Sequence, residues 1–217
     1  MRIDVTLNDA EFLAGVVVAR GVTVGPSPDE LARRLDEAVA RGGTEATKEP
    51  IRAMLRRGGF KPSGRNKPAS EYLAAAAREG RFPRINNLVD AINLMSLESG
   101  LPISLLDLAA VGERGEIRYG RDAERYVFNA TGQEIELAGL QCVCGPTSPV
   151  GSPVKDSMAG KIKDATTDVI GVVYGLRAEA ARIGELVPGR FADLFTRYAG
   201  ATSVEGRVFG AGQSADL

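Results

Sequence analysis

From Ser27 to Ser99 the apolar side chains return every three or four residues, whereas after Asp107 they come in short runs cut apart by glycine and proline. Helix-type spacing first and strand-type runs later, with few strand–helix–strand alternations, restrict the chain to the α+β class with a largely antiparallel sheet system flanked by helices. Ser27-Pro28-Asp29-Glu30 reads as a helix start, with Ser27 as cap and Pro28 at the first helical position. Leu31, Leu35, Ala38 and Val39 then recur until Gly42-Gly43 ends the run. Further helices are expected over 49–57 and from Ser70, acting as cap, to Gly80. The clearest lies over 88–99, capped by Asn86 or Asn87 and closed by Gly100 with Pro102 beyond.

Strands are expected over 2–7, within 13–24, and over 115–119, 125–130, 133–138, 140–144, 168–175 and 204–209. Helical stretches over 176–186 and 191–198 are separated by Pro188-Gly189, and the tail over 211–217 is expected to fray. At 217 residues, 44% apolar and 25% charged, the composition is that of one globular domain. No apolar run approaches the ~20 residues of a membrane span. The opening Met1-Arg2-Ile3-Asp4-Val5 lacks the pattern of a signal peptide, so the expected location is cytoplasmic, with no membrane partner.

The chain contains no histidine. That excludes Ser-His-Asp and Cys-His catalysis and His-ligated zinc, and leaves acid–base work to carboxylates, a lysine or a substrate hydroxyl. Cys142 and Cys144 are too few for a four-sulfur zinc site, and residues two apart would bridge only under strain, so no metal is expected. Gly160-Lys161 lacks the glycine of a phosphate-cradling loop, because Lys155 stands in its place. Ser152-Pro153-Val154-Lys155 fits Ser-x-x-Lys by chance alone, and no Gly-x-Gly-x-x-Gly supports a dinucleotide, so no cofactor is expected.

The net charge of −1 rules out a whole-molecule field for polyanions. Locally the balance breaks: between Lys48 and Arg84 ten basic residues face three acidic ones, an excess of seven positive charges. Arg56, Arg57, Lys61, Arg65, Lys67 and Arg84 from this segment are the candidate RNA-binding residues, although a solvated basic face gives the same count.

One block is particular. Lys61-Pro62-Ser63, Pro68-Ala69-Ser70-Glu71-Tyr72-Leu73, Phe82-Pro83-Arg84-Ile85-Asn86-Asn87-Leu88-Val89-Asp90, Asn93-Leu94-Met95-Ser96-Leu97, Gly100-Leu101-Pro102-Ile103 and Asp107-Leu108 follow one another in order. This series closely resembles the B3/B4 domain, the tRNA-binding and editing module of the phenylalanyl-tRNA synthetase beta subunit, and especially its free-standing versions. The likeness continues through Gly132-Gln133-Glu134-Ile135 and Lys161-Ile162-Lys163-Asp164-Ala165-Thr166-Thr167-Asp168. It is strongest over 50–190, leaving 1–49 as an N-terminal extension or lobe of a single domain spanning 1–217.

The resemblance implies a β-sandwich with a pocket between strands and the Val-Asp-x-x-Asn helix. It implies the charged acceptor end of tRNA as partner, with no DNA, and hydrolysis of the ester of a mischarged amino acid. Carried over residue by residue, it gives Asn93, Ser104 and Thr166 as catalytic residues and Asn86, Asp90, Ser96, Lys161 and Thr167 as substrate-binding ones. An ester oxyanion needs donors, and an α-ammonium group needs a carboxylate such as Asp90. Where the family pattern places a histidine, this chain has Ser104. Hydrolysis then requires a terminal ribose hydroxyl to assist the water, or has been lost, leaving a module that binds tRNA or an aminoacyl group without hydrolysis. An enzyme acting on a free amino acid derivative is the third possibility. Asp90 and Asn93 as loop clamps, Ser96 as a packing residue and Lys161 as a solvated charge are the bland alternatives.

Overall fold

The computed structural model describes residues 1–44 and 46–217. In chain order the elements are β1 (Arg2–Val5), β2 (Phe12–Arg20), α1 (Asp29–Arg41), α2 (Lys48–Arg57), α3 (Ala69–Arg78), α4 (Asn87–Ser99), β3 (Ile103–Asp107) and α5 (Leu108–Val111). There follow β4 (Arg114–Tyr119), β5 (Arg125–Val127), β6 (Glu134–Glu136), β7 (Gln141–Cys144), β8 (Pro149–Gly151), β9 (Asp168–Leu176), α6 (Ala180–Glu185), α7 (Phe191–Ala199), β10 (Ser203–Gly210) and β11 (Ser214–Asp216).

The strands form a five-stranded sheet ordered β11-β1-β4-β7-β8, a four-stranded sheet ordered β10-β2-β9-β3, and the β5-β6 pair. Only β1 and β4 run parallel among these strand pairs. The class is α+β, as the order of the sequence signals predicts. No helix among the described residues is long and apolar enough to cross a membrane.

The valine-rich run explains β2. Its residues are buried on both faces as far as Ala19, as are those of β9 beside it, so neither strand shows the apolar–polar alternation of a half-exposed sheet. Helices cover one face. Gly171 makes room there: a Cβ at that position would lie 2.5 Å from the Phe191 ring, which in turn meets Phe195 edge-on at 5.4 Å. Leu31, Leu35 and Ala38 form the buried stripe of α1, which packs on α4. Each such leucine contributes about 1.5–3 kcal/mol by leaving water.

α4 begins and ends as its sequence predicts. Asn86 Oδ1 accepts the Val89 N–H at 2.9 Å, and Gly100 closes the helix in the left-handed region (φ 74°). Two other expected caps are corrected. Ser27 makes no cap bond to α1, because its hydroxyl is drawn to Asp90; Ser70 lies inside α3, buried, one residue beyond the start.

Three further findings concern the chain's ends and middle. Residues 1–49 contribute β1 and β2, which are interior strands of the two sheets. The tail does not fray: Ile3 pairs with Ala215, and the Leu217 N–H donates to the Met1 carbonyl at 2.8 Å. Finally, β3 and β8 were not expected as strands, and it is these that bring the sheets together: a Cβ at Gly151 would lie 2.8 Å from Leu106.

Candidate functional site

Register fixes the site. Ser104 of β3 lies opposite Val172 of β9, so its side chain shares the sheet face of Val172 and Tyr174, while Leu105 shares the face on which Phe191 covers Gly171. Ser104 therefore points between the two sheets, where it is 1% exposed. Its hydroxyl lies 2.7 Å from Asp156 Oδ1, 3.0 Å from the Tyr174 hydroxyl and 3.1 Å from the Ser152 carbonyl oxygen. Asp156 Oδ1 also accepts the Ser152 N–H at 3.2 Å. The cluster continues outward, with the Tyr126 hydroxyl donating to Ser152 Oγ at 2.9 Å and Ser152 Oγ to the Lys155 carbonyl at 2.8 Å.

Burial pushes the Asp156 carboxyl up to about 7, against the opposing hydrogen bonds from Ser104, Ser152 and the Leu105 N–H and the attraction of Lys161. Burial likewise holds the Tyr126 and Tyr174 phenols and the Cys142 thiol far above their ordinary values, so these stay neutral. The Cys144 thiol is pushed up to about 12 for the same reason. Both cysteines are free and buried on β7, which makes them inert packing residues.

Cations flank this cluster, with Lys161 within electrostatic reach of Asp156. Lys155 Nζ stands 3.9 Å from the centre of the Phe128 ring, and Lys161 donates to the Phe128 carbonyl at 2.7 Å. Burial, and then the charge of Arg65, lower the Lys155 pKa, which puts Arg65 within electrostatic reach of that lysine. The segment carrying Lys61, Arg65 and Lys67 is tied to the same loop by the Ala69 N–H, which donates to the Pro153 carbonyl at 2.8 Å. The site thus unites Ser104, Lys161 and Arg65 with four residues that sequence reasoning missed as site residues: Asp156, Tyr174, Tyr126 and Lys155.

The remaining expected residues lie elsewhere. Asp90 is 3% exposed with both oxygens engaged: Oδ2 accepts the Ser27 hydroxyl at 2.7 Å and Oδ1 the Ile85 N–H at 3.0 Å. Asn86 caps α4. Ser96 donates to the Leu101 carbonyl at 2.8 Å and holds the turn into β3. Asn93 is buried, and its carboxamide has no hydrogen-bond partner among the described residues. Thr166 donates to Asp107 Oδ2 at 2.7 Å and accepts the Lys163 N–H. With Thr167 it lines an open cleft of about 450 Å³ beside Arg20 and Asp168. Asn93, Ser104 and Thr166 share no hydrogen-bond partner.

Much of the local positive charge is internally paired. Arg52 grips Glu71 with two bonds of 2.7 and 2.8 Å, Lys67 lies 3.8 Å from the same carboxylate, and Arg57 meets Asp9 at 2.5 Å. Arg56 lies 3.8 Å from Glu49, and Arg84 pairs with Asp36. Burial would raise the Asp9 and Glu71 pKa values, but their arginine partners outweigh it and hold both carboxyls low. Lys61 and Arg65 are exposed without an ion-pair partner among the described residues. Among those residues no group of three metal-ligating side chains converges.

The B3/4 domain family matches residues 60–184, more than half of the chain and the stretch that contains both the cluster and the cations beside it. The chain belongs to the B3/4 domain family. No curated protein matches it. Among solved structures it is similar to an N-terminal fragment of the phenylalanyl-tRNA synthetase beta subunit from Pyrococcus horikoshii, with 11% identity and a TM-score of 0.45. That alignment covers 95% of this chain and 50% of the fragment, so this B3/4 protein spans about half the fragment's length.

Proposed function

We propose that this B3/4 protein binds the charged acceptor end of a tRNA and hydrolyses the ester of a misattached amino acid. The observation that carries the reading is the set of cations, Arg65, Lys155 and Lys161, beside the Ser104–Asp156 hydroxyl–carboxyl cluster. The cations suit the phosphates of a nucleic-acid end, and the cluster beside them supplies hydrogen-bonding groups where an ester carbonyl and a water must be oriented. Ser104 and Lys161 are the working members of the expected site in this reading. Asn86, Asp90, Ser96 and Thr166 hold loops and turns away from the cluster, while Asn93 and Thr167 have no assigned step.

The test is deacylation of a panel of mischarged tRNAs. At least one ester is expected to be cleaved faster than in buffer; rates equal to the uncatalysed background for every ester contradict the reading. The 1% exposure of Ser104 favours a second reading, a module that grips charged tRNA without cleaving it. Tight binding with no acceleration selects that one.

A further inference from the structure

We propose that Asp156, acting through the Ser104 hydroxyl, is the proton acceptor and donor of this site. The inference rests on the hydrolase reading and adds to it a base that no family motif or spacing in the sequence marks.

The geometry suits both protonation states. With Asp156 ionised, Ser104 Oγ–H donates to Oδ1 at 2.7 Å and the Tyr174 hydroxyl donates to Ser104 at 3.0 Å. With Asp156 protonated, its O–H donates to Ser104 Oγ, and the serine proton turns to the Ser152 carbonyl oxygen at 3.1 Å. The Ser104 hydroxyl and the Asp156 carboxyl keep a partner in each state, while the Ser152 carbonyl oxygen gains its donor when Asp156 is protonated.

The surroundings set the working range. The groups on the elements packed around Asp156 are Tyr174 on β9, Tyr126 on β5, and Cys142 and Cys144 on β7, all kept neutral by burial. Lys155 and Lys161 lie in the 152–161 loop, and Arg65 lies beyond Lys155. No anion in the cluster competes for the proton, and the carboxyl stands at about 7, where a base is both largely free and strong enough to act.

The step balances. Water attacks the ester carbonyl carbon, forming a C–O bond as the carbonyl π pair moves onto oxygen. The water proton passes to Ser104 Oγ while the serine proton passes to Asp156. On collapse, the bond from carbon to the ribose oxygen breaks, and that oxygen takes the proton back along the same path. Free amino acid and tRNA leave, and the carboxylate is restored.

The experiment is single-turnover deacylation from pH 5.5 to 8.5, with the buffer rate subtracted at each pH, for wild type, Asp156→Asn, Ser104→Ala and Tyr174→Phe. The wild-type rate should rise about tenfold per pH unit on the acid side and level near pH 7. Asp156→Asn should lose about 10²-fold at pH 7.5 together with that acid limb, whereas Tyr174→Phe, which leaves the carboxyl in place, keeps the limb. Thermal melting confirms that each variant is folded, and carboxyl-carbon NMR of the wild type, read against Asp156→Asn, should show one aspartate titrating near 7. An Asp156→Asn profile parallel to wild type, or an Asp156 signal titrating near 4, overturns this inference alone. Background rates for the wild type on every ester overturn the hydrolase reading and this inference with it.

Discussion

Two aspartates in this molecule, one buried and one half-buried, are held in opposite ways. Asp90, at the start of α4, spends one oxygen on the Ser27 hydroxyl and the other on the Ile85 N–H, and so ties two loops to the helix. Asp156, in an irregular loop between the sheets, ends a chain of hydroxyls near Lys161, and its carboxyl is displaced toward neutrality. The conspicuous Val-Asp-x-x-Asn pattern marks the first, and nothing in the sequence marks the second. A carboxylate whose lone pairs are filled by its own fold is a clamp; one facing a movable proton is a reagent.

The largest expected effect is on chemistry. Asp156→Asn should reduce deacylation about 10²-fold, whereas Asp90→Asn should leave the activity of the folded protein within a few-fold of wild type. Equal losses in the two variants would erase the distinction between the aspartates. On stability the order reverses: Asp90→Ala strands a hydroxyl and a backbone N–H and should cost about 2–4 kcal/mol in urea unfolding.

The pH dependence of folding sharpens the contrast further. Because the folded-state Asp156 carboxyl lies above its ordinary value of 3.8, its contribution is fully present below about pH 4 and is lost as pH rises through about 7, with a slope of at most about 1.4 kcal/mol per pH unit. Asp156→Asn should flatten that decline and melt higher than wild type at pH 8. Asp9 and Glu71, held low by arginines, act in the other direction, and their contribution is lost only as pH falls through the acid range.

The smallest effects concern RNA contacts. Arg65→Ala and Lys161→Ala should each lower the salt dependence of tRNA binding by about one unit of slope, and Arg56→Ala and Arg84→Ala by less, because acidic side chains already face them. Filter binding at several salt concentrations measures the difference.

Much of the fold was legible where local chemistry decides it. Asn86 and Gly100 bound α4 because an amide cap and a left-handed glycine act within a few residues. Ser27 misled because a nearer cap bond lost to a carboxylate 63 positions away. β3 was missed because Ile103-Ser104-Leu105-Leu106 has no clean alternation: its even-numbered side chains point between the sheets and its odd ones toward helices. The site was legible only in part. Ser104 and Lys161 came through the family likeness, but Asp156 stands 52 residues from Ser104 and follows no spacing rule. The basic count of the 48–84 segment overstated the free charge because Asp9 and Asp36, outside it, neutralise two of its arginines.

The central claim is that the inter-sheet cluster, and not the α4 aspartate, does the chemistry. Side-by-side hydrolysis of the mischarged tRNA panel at pH 7.5 by folded wild type, Asp156→Asn and Asp90→Asn tests it most directly. The account predicts that only Asp156→Asn falls to near the buffer rate; an active Asp156→Asn beside an inactive Asp90→Asn would contradict it.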